Sequence, residues 1–337
     1  MNVTLIGIDL AKNIFQVCGV NQAGKSVFNR AVKRSQLLAT LRHYPDAVIA
    51  MEACSGSNYW GRELLKLGYE VKLIPPQHVK PFVKGNKNDR NDAFAICEAA
   101  QRPNIVFVKP RTLEQVDLIL VHRIRERRIR ERTALSNQIR GLLNEYGIVF
   151  RQGKTPFITE LPEILATENN GLTVTARRYI RELLDELRTI DAAIKTTEKE
   201  VQAQAKNHPD AKRLTGIRGV AEMIATAVVS FAGDGSGYKN GRHFAANLGL
   251  VPKEFSSGGK QKLGSITKRG NSHLRRLLIQ GAWSVIRYAD KSNDRISQWA
   301  LKLIERRGKH KAVVAVANKL ARIIWAMLFY RTEYRPN

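Results

Sequence analysis

The chain has 337 residues, 43% of them hydrophobic, which suits two or three domains with real cores and excludes wholesale disorder. Lys and Arg number 56 against 30 Asp and Glu, a formal charge of +26. An excess of that size asks for a polyanionic partner, with nucleic acid first. Cys18, Cys54 and Cys97 form no CxxC pair and the histidines no HExxH pattern, so neither a disulfide framework nor a zinc site is indicated. No apolar run approaches the roughly 18 to 20 residues of a spanning helix, and the N-terminus lacks a signal-peptide pattern. The chain therefore reads as intracellular and soluble, with no membrane partner.

In chain order, residues 3–8 form a short apolar strand ending in Gly7-Ile8-Asp9, residues 14–20 a partner strand, and residues 25–31 a weaker third one. A helix is expected over 35–44, a buried strand over 47–51, and a helix over 58–67 stopped by Gly68. A further strand over 70–74 is closed by Pro75-Pro76, and a helix follows over 92–100. Hairpin strands followed by a strand–helix alternation predict a mixed sheet with helices on its faces. The pattern then changes to two long helices, over 112–146 and 173–206. The first is arginine-dense, with Leu118, Leu120, Val121, Ile124, Ile129 and Leu135 spaced as an apolar side. Two antiparallel helices of this length predict an all-α coiled-coil arm, with an ordinary helical bundle carrying a solvated charged face as the alternative. From Leu214 onward the chain is mainly helical, with one Gly/Ser/Lys-rich loop over 252–270 and a closing amphipathic helix over 309–328.

Four acids stand where strand and helix ends present them. Asp9 and Glu52 each close a buried strand, which holds a carboxylate rigidly while its head group reaches solvent. Asp89 and Asp92 are three apart at a helix start, so they share one face. Taken singly, Asp9 also reads as a strand-end cap, Asp89 as a helix cap and Asp92 as a surface partner of Arg90. Glu52, after Val48-Ile-Ala-Met51, needs a partner or a metal. Four converging carboxylates suit Mg²⁺ or Mn²⁺, and two such ions about 3.5 to 4 Å apart support phosphoryl transfer.

In the later loop, Ser256-Ser257-Gly258-Gly259-Lys260 is followed by Lys268-Arg269-Gly270 and Arg275-Arg276. Adjacent glycines let backbone N–H groups approach a phosphate, and basic residues neutralise it. From the residues alone this is a phosphate-binding loop with no covalent role. A serine there becomes a nucleophile only if a metal or carboxylate helps remove its proton. Upstream, Leu214-Thr-Gly216-Ile-Arg-Gly219-Val-Ala221 is similar to a helix-hairpin-helix, with Ala221 where a second glycine is usual.

Together, Gly7-Ile-Asp9-Leu-Ala-Lys12, Met51-Glu52-Ala-Cys-Ser-Gly56, Asn86-Lys-Asn-Asp89-Arg-Asn-Asp92-Ala93 and the serine loop resemble the DEDD-type insertion-sequence transposases. The likeness is to the IS-one-ten family, especially its IS-eleven-eleven branch, to which Piv-type DNA invertases are related. It covers essentially the whole chain. It implies an α/β RNase H-like (RuvC-like) domain over 1–107 carrying Asp9, Glu52, Asp89 and Asp92 as catalytic metal ligands. A coiled-coil arm over 108–207 and a C-terminal transposase domain over 208–337 are implied to follow. Ser257 is implied as the serine that attacks DNA, with Ser256 as its immediate rival. Lys12, Arg123, Arg127, Gly258, Lys260, Lys268, Arg269, Arg275 and Arg276 are the expected nucleic-acid contacts. The resemblance further implies a structured guide RNA and a prokaryotic, nucleoid-associated cytoplasmic setting. Strand exchange needs at least two active sites, so a homodimer that becomes a tetramer on DNA is expected. Two other readings use the same residues: a RuvC-like nuclease with water as nucleophile, and a non-catalytic RNA- or DNA-binding scaffold.

Overall fold

The computed structural model describes residues 2–86, 88–151 and 153–335. It comprises two compact units, Met1–Leu113 and Glu114–Asn337.

The first unit is built on a five-stranded sheet: β1 (Leu5–Asp9), β2 (Ile14–Val20), β3 (Ser26–Lys33), β4 (Val48–Glu52) and β5 (Val71–Ile74). Their order is β3-β2-β1-β4-β5. β1 pairs antiparallel with β2 and parallel with β4, and β4 pairs parallel with β5. This mixed order is that of an RNase H-like domain, with β1 at the centre. Side chains alternate between its two faces. Ile6, Ile8, Ile49 and Met51 pack on one side with Phe15, Trp60 and Leu64, the last two from α2 (Ser57–Lys66). Leu5, Cys18 and Ala50 pack on the other against Ala93, Ile96 and Cys97.

Helix α1 (Leu37–Leu41) is half the length expected over 35–44. Pro45 follows, and the residue before a proline is steered away from the helical region, so the helix unwinds early. After a single turn, α3 (Pro76–Val79), comes α4 (Asp89–Ala100). It starts three residues ahead of the expected position because the Asn88 side chain accepts from the Asn91 N–H and caps it. Gly7 lets this helix lie directly on β1: a Cβ there would meet the Cys97 Sγ at 2.6 Å and the Ala93 carbonyl at 2.7 Å.

The second unit opens with α5 (Leu113–Asn144), α6 (Lys154–Ala166) and α7 (Val174–Asn207). Helices α5 and α7 run antiparallel. Arg125 bonds Glu198 (2.5 Å), Arg128 donates to the Ala193 carbonyl and the Thr197 hydroxyl, and Arg132 meets Asp191 at 3.2 Å. The buried residues of α5 are Leu118, His122, Leu135, Ile139 and Leu143, whereas Leu120 is 53% exposed. Arginine therefore occupies much of the interhelical face where the sequence reading put aliphatics. Helix α6 went unforeseen. Its Phe157, Leu161 and Leu165 fill a cluster with Leu135, Ile139, Ile180 and Leu184, making the far end of the pair three helices thick.

The remainder is a helical core: α8 (Pro209–Leu214), α9 (Glu222–Ala232), α10 (Gly241–Asn247), α11 (Ser272–Arg287), α12 (Arg295–Arg307) and α13 (Lys309–Tyr330), with a hairpin of β6 (Pro252–Glu254) and β7 (Leu263–Ile266). By length and composition alone α13 could cross a membrane. Here Val313, Val316, Leu320 and Ile324 of this helix are buried among Leu274, Leu278 and Leu303 of α11 and α12.

Candidate active site

Register and face bring the acids of β1 and β4 together. Ile8 pairs with Met51, and Asp9 and Glu52 follow directly on the two parallel strands. Asp9 shares the face of Leu5 and Gly7, and Glu52 that of Val48 and Ala50, so both look toward the side covered by α4. Contacts fix the direction of α4. Its Ala93 and Cys97 lie over Gly7, while Gln101 near its C-terminus reaches Gly24 in the turn beyond the opposite end of the sheet. The first turn of α4, carrying Asp89 and Asp92, thus lies at the end where Asp9 and Glu52 stand. A polar chain ties it there: Gln16, opposite Asp9, donates to the Asn29 side chain (2.6 Å), whose amide donates to the Arg90 carbonyl (2.9 Å).

Asp9, Glu52 and Asp92 are partly buried and Asp89 is exposed. The Cys54 thiol senses the local charge. Burial pushes its pKa up, and the Glu52 and Asp9 carboxylates push it further. Among the described residues, no group of three or more His, Cys, Asp or Glu is positioned to hold a metal ion. The four acids are therefore gathered on one face and one end of the sheet without forming a closed cage. Their donor set of carboxylate oxygens fits a hard divalent cation in chemistry. The N-terminus of α4 adds a favourable field for the two aspartates.

In the second unit, Ser257, Gly258, Gly259 and Lys260 form the tip of the β6–β7 hairpin. The Lys260 N–H donates to the Ser257 carbonyl (3.0 Å), and both glycines have positive φ (54° and 76°), the arrangement of a type I′ turn. The two serines differ. Ser256 donates to Glu254 (2.6 Å) and accepts from the Lys262 N–H (3.2 Å). The exposed Ser257 hydroxyl makes no hydrogen bond among the described residues.

The basic residues also divide. Lys12, Arg123, Lys260, Lys268 and Arg269 are exposed, with side chains that make no ion pair among the described residues. Arg127 pairs with Glu131 along its own helix. Arg275 braces the loop base through the Leu248 and Arg269 carbonyls, both at 3.0 Å. Arg276 is joined to Glu126 and lies 3.3 Å from the His273 ring. The hairpin between α8 and α9 lines a cleft of about 800 Å³. Gly219 has φ +83° there, and a Cβ on it would fall 2.7 Å from the Gly281 carbonyl, so this glycine serves close packing on α11. Sequence reasoning passed over Arg34, which sits over the rings of Phe15, Tyr59 and Trp60. No motif marks it, because Phe15 lies on β2, Arg34 just beyond β3, and Tyr59 and Trp60 on α2.

Fold and site define an RNase H-like domain with a carboxylate edge, joined in one chain to a helical unit that presents a serine hairpin. Two family descriptions match these parts. A DEDD transposase domain matches residues 6–148, and the "Transposase IS116/IS110/IS902 family" matches residues 211–297. A probable family 20 transposase of Pseudomonas aeruginosa is 45% identical over the full length of both chains. The transposase for insertion sequence element IS1111A of Coxiella burnetii is 45% identical over 99% of this chain and 92% of its own. At 22% identity, the pilin gene-inverting protein of Moraxella bovis is similar over 97% of this chain and 96% of its own. The chain belongs to the IS116/IS110/IS902 transposase family and is a DNA transposase, an enzyme of DNA recombination.

Proposed function

We propose that this transposase cuts and rejoins DNA by serine attack at a composite site, in which Ser257 is the nucleophile and Asp9, Glu52, Asp89 and Asp92 hold the metal. The observation that supports this reading is that Asp9 and Glu52 end adjacent parallel strands on the face covered by α4, whose first turn carries Asp89 and Asp92. In the step itself, the Ser257 Oγ forms a bond to a DNA phosphorus and loses its proton. The bridging P–O bond breaks, and the leaving deoxyribose oxygen takes up a proton. Reversal by a second DNA hydroxyl restores the serine. Mg²⁺ or Mn²⁺, when bound, would activate the attacking oxygen and stabilise the leaving one. The free Ser257 hydroxyl on a rigid Gly-Gly turn supports its choice over Ser256, whose hydroxyl is committed on both sides. Lys260, Lys268 and Arg269 would hold backbone phosphates beside it, as would Lys12 in the first unit and Arg123 on α5. The α5–α7 pair would act as an arm between residues 1–107 and 208–337. Strand exchange needs two active sites, which favours a dimer that becomes a tetramer on DNA. Direction by a structured guide RNA rests on the family resemblance, and the charge of +26 is compatible with such a partner.

The test is a denaturing-gel search for a protein–DNA adduct, using protein with its co-purifying RNA, labelled element-junction DNA and Mg²⁺. An adduct retained by Ser256→Ala but lost in Ser257→Ala and Asp9→Ala is the expected result. Nicking without an adduct would move the reading to a nuclease that uses water.

A further inference from the structure

Beside the carboxylate edge lies a second feature of the first unit that the cutting chemistry leaves unused. Asn13, Ile14, Lys33, Arg34, Tyr59 and Trp60 line a pocket of about 680 Å³. It sits where β2 begins and β3 ends, the same end of the sheet at which Asp9 stands, since β2 turns back on β1 there, but on the face opposite α4. Its wall is aromatic. Tyr59 and Trp60 meet edge to face at 5.2 Å, and Trp60 meets Phe15 at 5.4 Å. The Arg34 guanidinium lies 5.1 Å from the Trp60 ring centroid and 5.8 Å from those of Tyr59 and Phe15.

Three features separate this from ordinary core packing. Tyr59 is 46% exposed and Ile14 56% exposed, so large apolar surface faces solvent next to a cation. Arg34 makes no ion pair among the described residues, although a surface arginine in a chain with 30 acids has partners to choose from. Trp60 is only 5% exposed, yet its indole N–H has no hydrogen-bond partner among the described residues. A buried indole N–H normally finds one.

We propose that this pocket takes an unstacked nucleobase of single-stranded nucleic acid, stacked on Tyr59 with Arg34 and Lys33 facing its phosphates. Every base has a π face that an aromatic ring can stack on, and arginine serves both the ring and the phosphate charge. A duplex cannot offer a base in this way without unstacking it. The pocket would thus hold one strand open at the end of the sheet where the acids lie. This rests on the nucleic-acid chemistry proposed above for that end, but it predicts binding that needs neither metal nor strand cleavage.

The experiment uses the full chain in EDTA with short single strands carrying one 2-aminopurine, as DNA and as RNA, beside abasic and duplex counterparts. Binding should quench 2-aminopurine fluorescence. Removing the base, or Tyr59→Ala, should weaken single-strand binding about tenfold, the scale of base–aromatic stacking, and abolish the quench. Tyr59→Phe should keep both, Arg34→Gln should weaken binding, and duplex affinity should hardly change. The DNA and RNA arms then assign the strand. Equal affinity of the wild-type chain for abasic and intact strands overturns the pocket, as does wild-type behaviour of Tyr59→Ala. If duplex binding and strand exchange persist in that case, the transposition reading stands alone. No binding to any probe would sink both.

Discussion

At the scale of single residues, backbone crowding separates glycines that look equivalent in the sequence. A Cβ on Gly270 would lie 1.8 Å from the Asn247 carbonyl at φ +76°, whereas one on Gly258 meets nothing within 4 Å at φ +54°. Gly270→Ala should therefore cost on the order of 3 kcal/mol or more, and Gly258→Ala about 1 kcal/mol of left-handed strain. Denaturant melts of the two variants check the contrast. His122 is the clearest titrating group. Burial, then the neighbouring His273 and Arg125, push its pKa down to about 4. It stays neutral in the folded state while the unfolded chain takes up a proton below about 6.5. Stability is thus fully present above that pH and is lost as pH falls from about 6.5 toward 4. By pH 5 the loss from this group should be about 2 kcal/mol. His122→Gln should flatten that part of the stability–pH curve, and an unchanged slope would assign the acid sensitivity elsewhere. The sequence marked Asp9, Glu52, Asp89 and Asp92 as special. It could not distinguish the hydroxyls of Ser256 and Ser257, because the difference comes from Glu254 on β6 and Lys262 just before β7.

At the scale of elements, the charges on α5 have two different uses. Arg128 reaches across to the Ala193 carbonyl and Thr197, while Arg127 pairs with exposed Glu131 on its own helix. Arg128→Ala should lower stability by about 1 to 2 kcal/mol, since it removes two charge-assisted bonds between the helices. Arg127→Ala should change it by less than about 0.5 kcal/mol. Equal effects in thermal melts would refute this division. Both long helices were legible from three-to-four spacing. Of the expected apolar side of α5, Leu118 and Leu135 are buried and Leu120 is exposed, but the arginines beside them were not foreseen as interhelical contacts. Arginine stems cover apolar surface while their heads find acids on α7, so an arginine-rich stripe can be an interface. Helix α6 escaped although Phe157, Leu161 and Leu165 keep helical spacing, because Pro162 inside it reads as a helix breaker. The start of α4 was misplaced because an asparagine cap three residues upstream reads equally well as loop.

At the scale of the whole molecule, the charge of +26 implies binding that responds strongly to salt. If Lys12, Arg123, Lys260, Lys268 and Arg269 each neutralise one phosphate, log affinity for duplex DNA should fall with log salt at a slope near −4.5. Replacing any one by alanine should make the slope shallower by about 0.9. Alanine at Arg275 should instead damage the loop, because its guanidinium braces two carbonyls. A salt titration by fluorescence anisotropy separates the two outcomes.

Composition and hydrophobic period pointed to a nucleic-acid partner and to the strand–helix order, because each is written in overall charge or in residues near one another along the chain. Tertiary structure alone decided that Asp9 and Glu52 share a face with the start of α4, which serine is unencumbered, and which arginines are spent on the fold. It also gathered Phe15, Arg34, Tyr59 and Trp60 into one pocket. Those outcomes depend on strand register, on the alternation of faces and on close approaches at glycine. Such contacts form between residues far apart in sequence, and only packing brings them together.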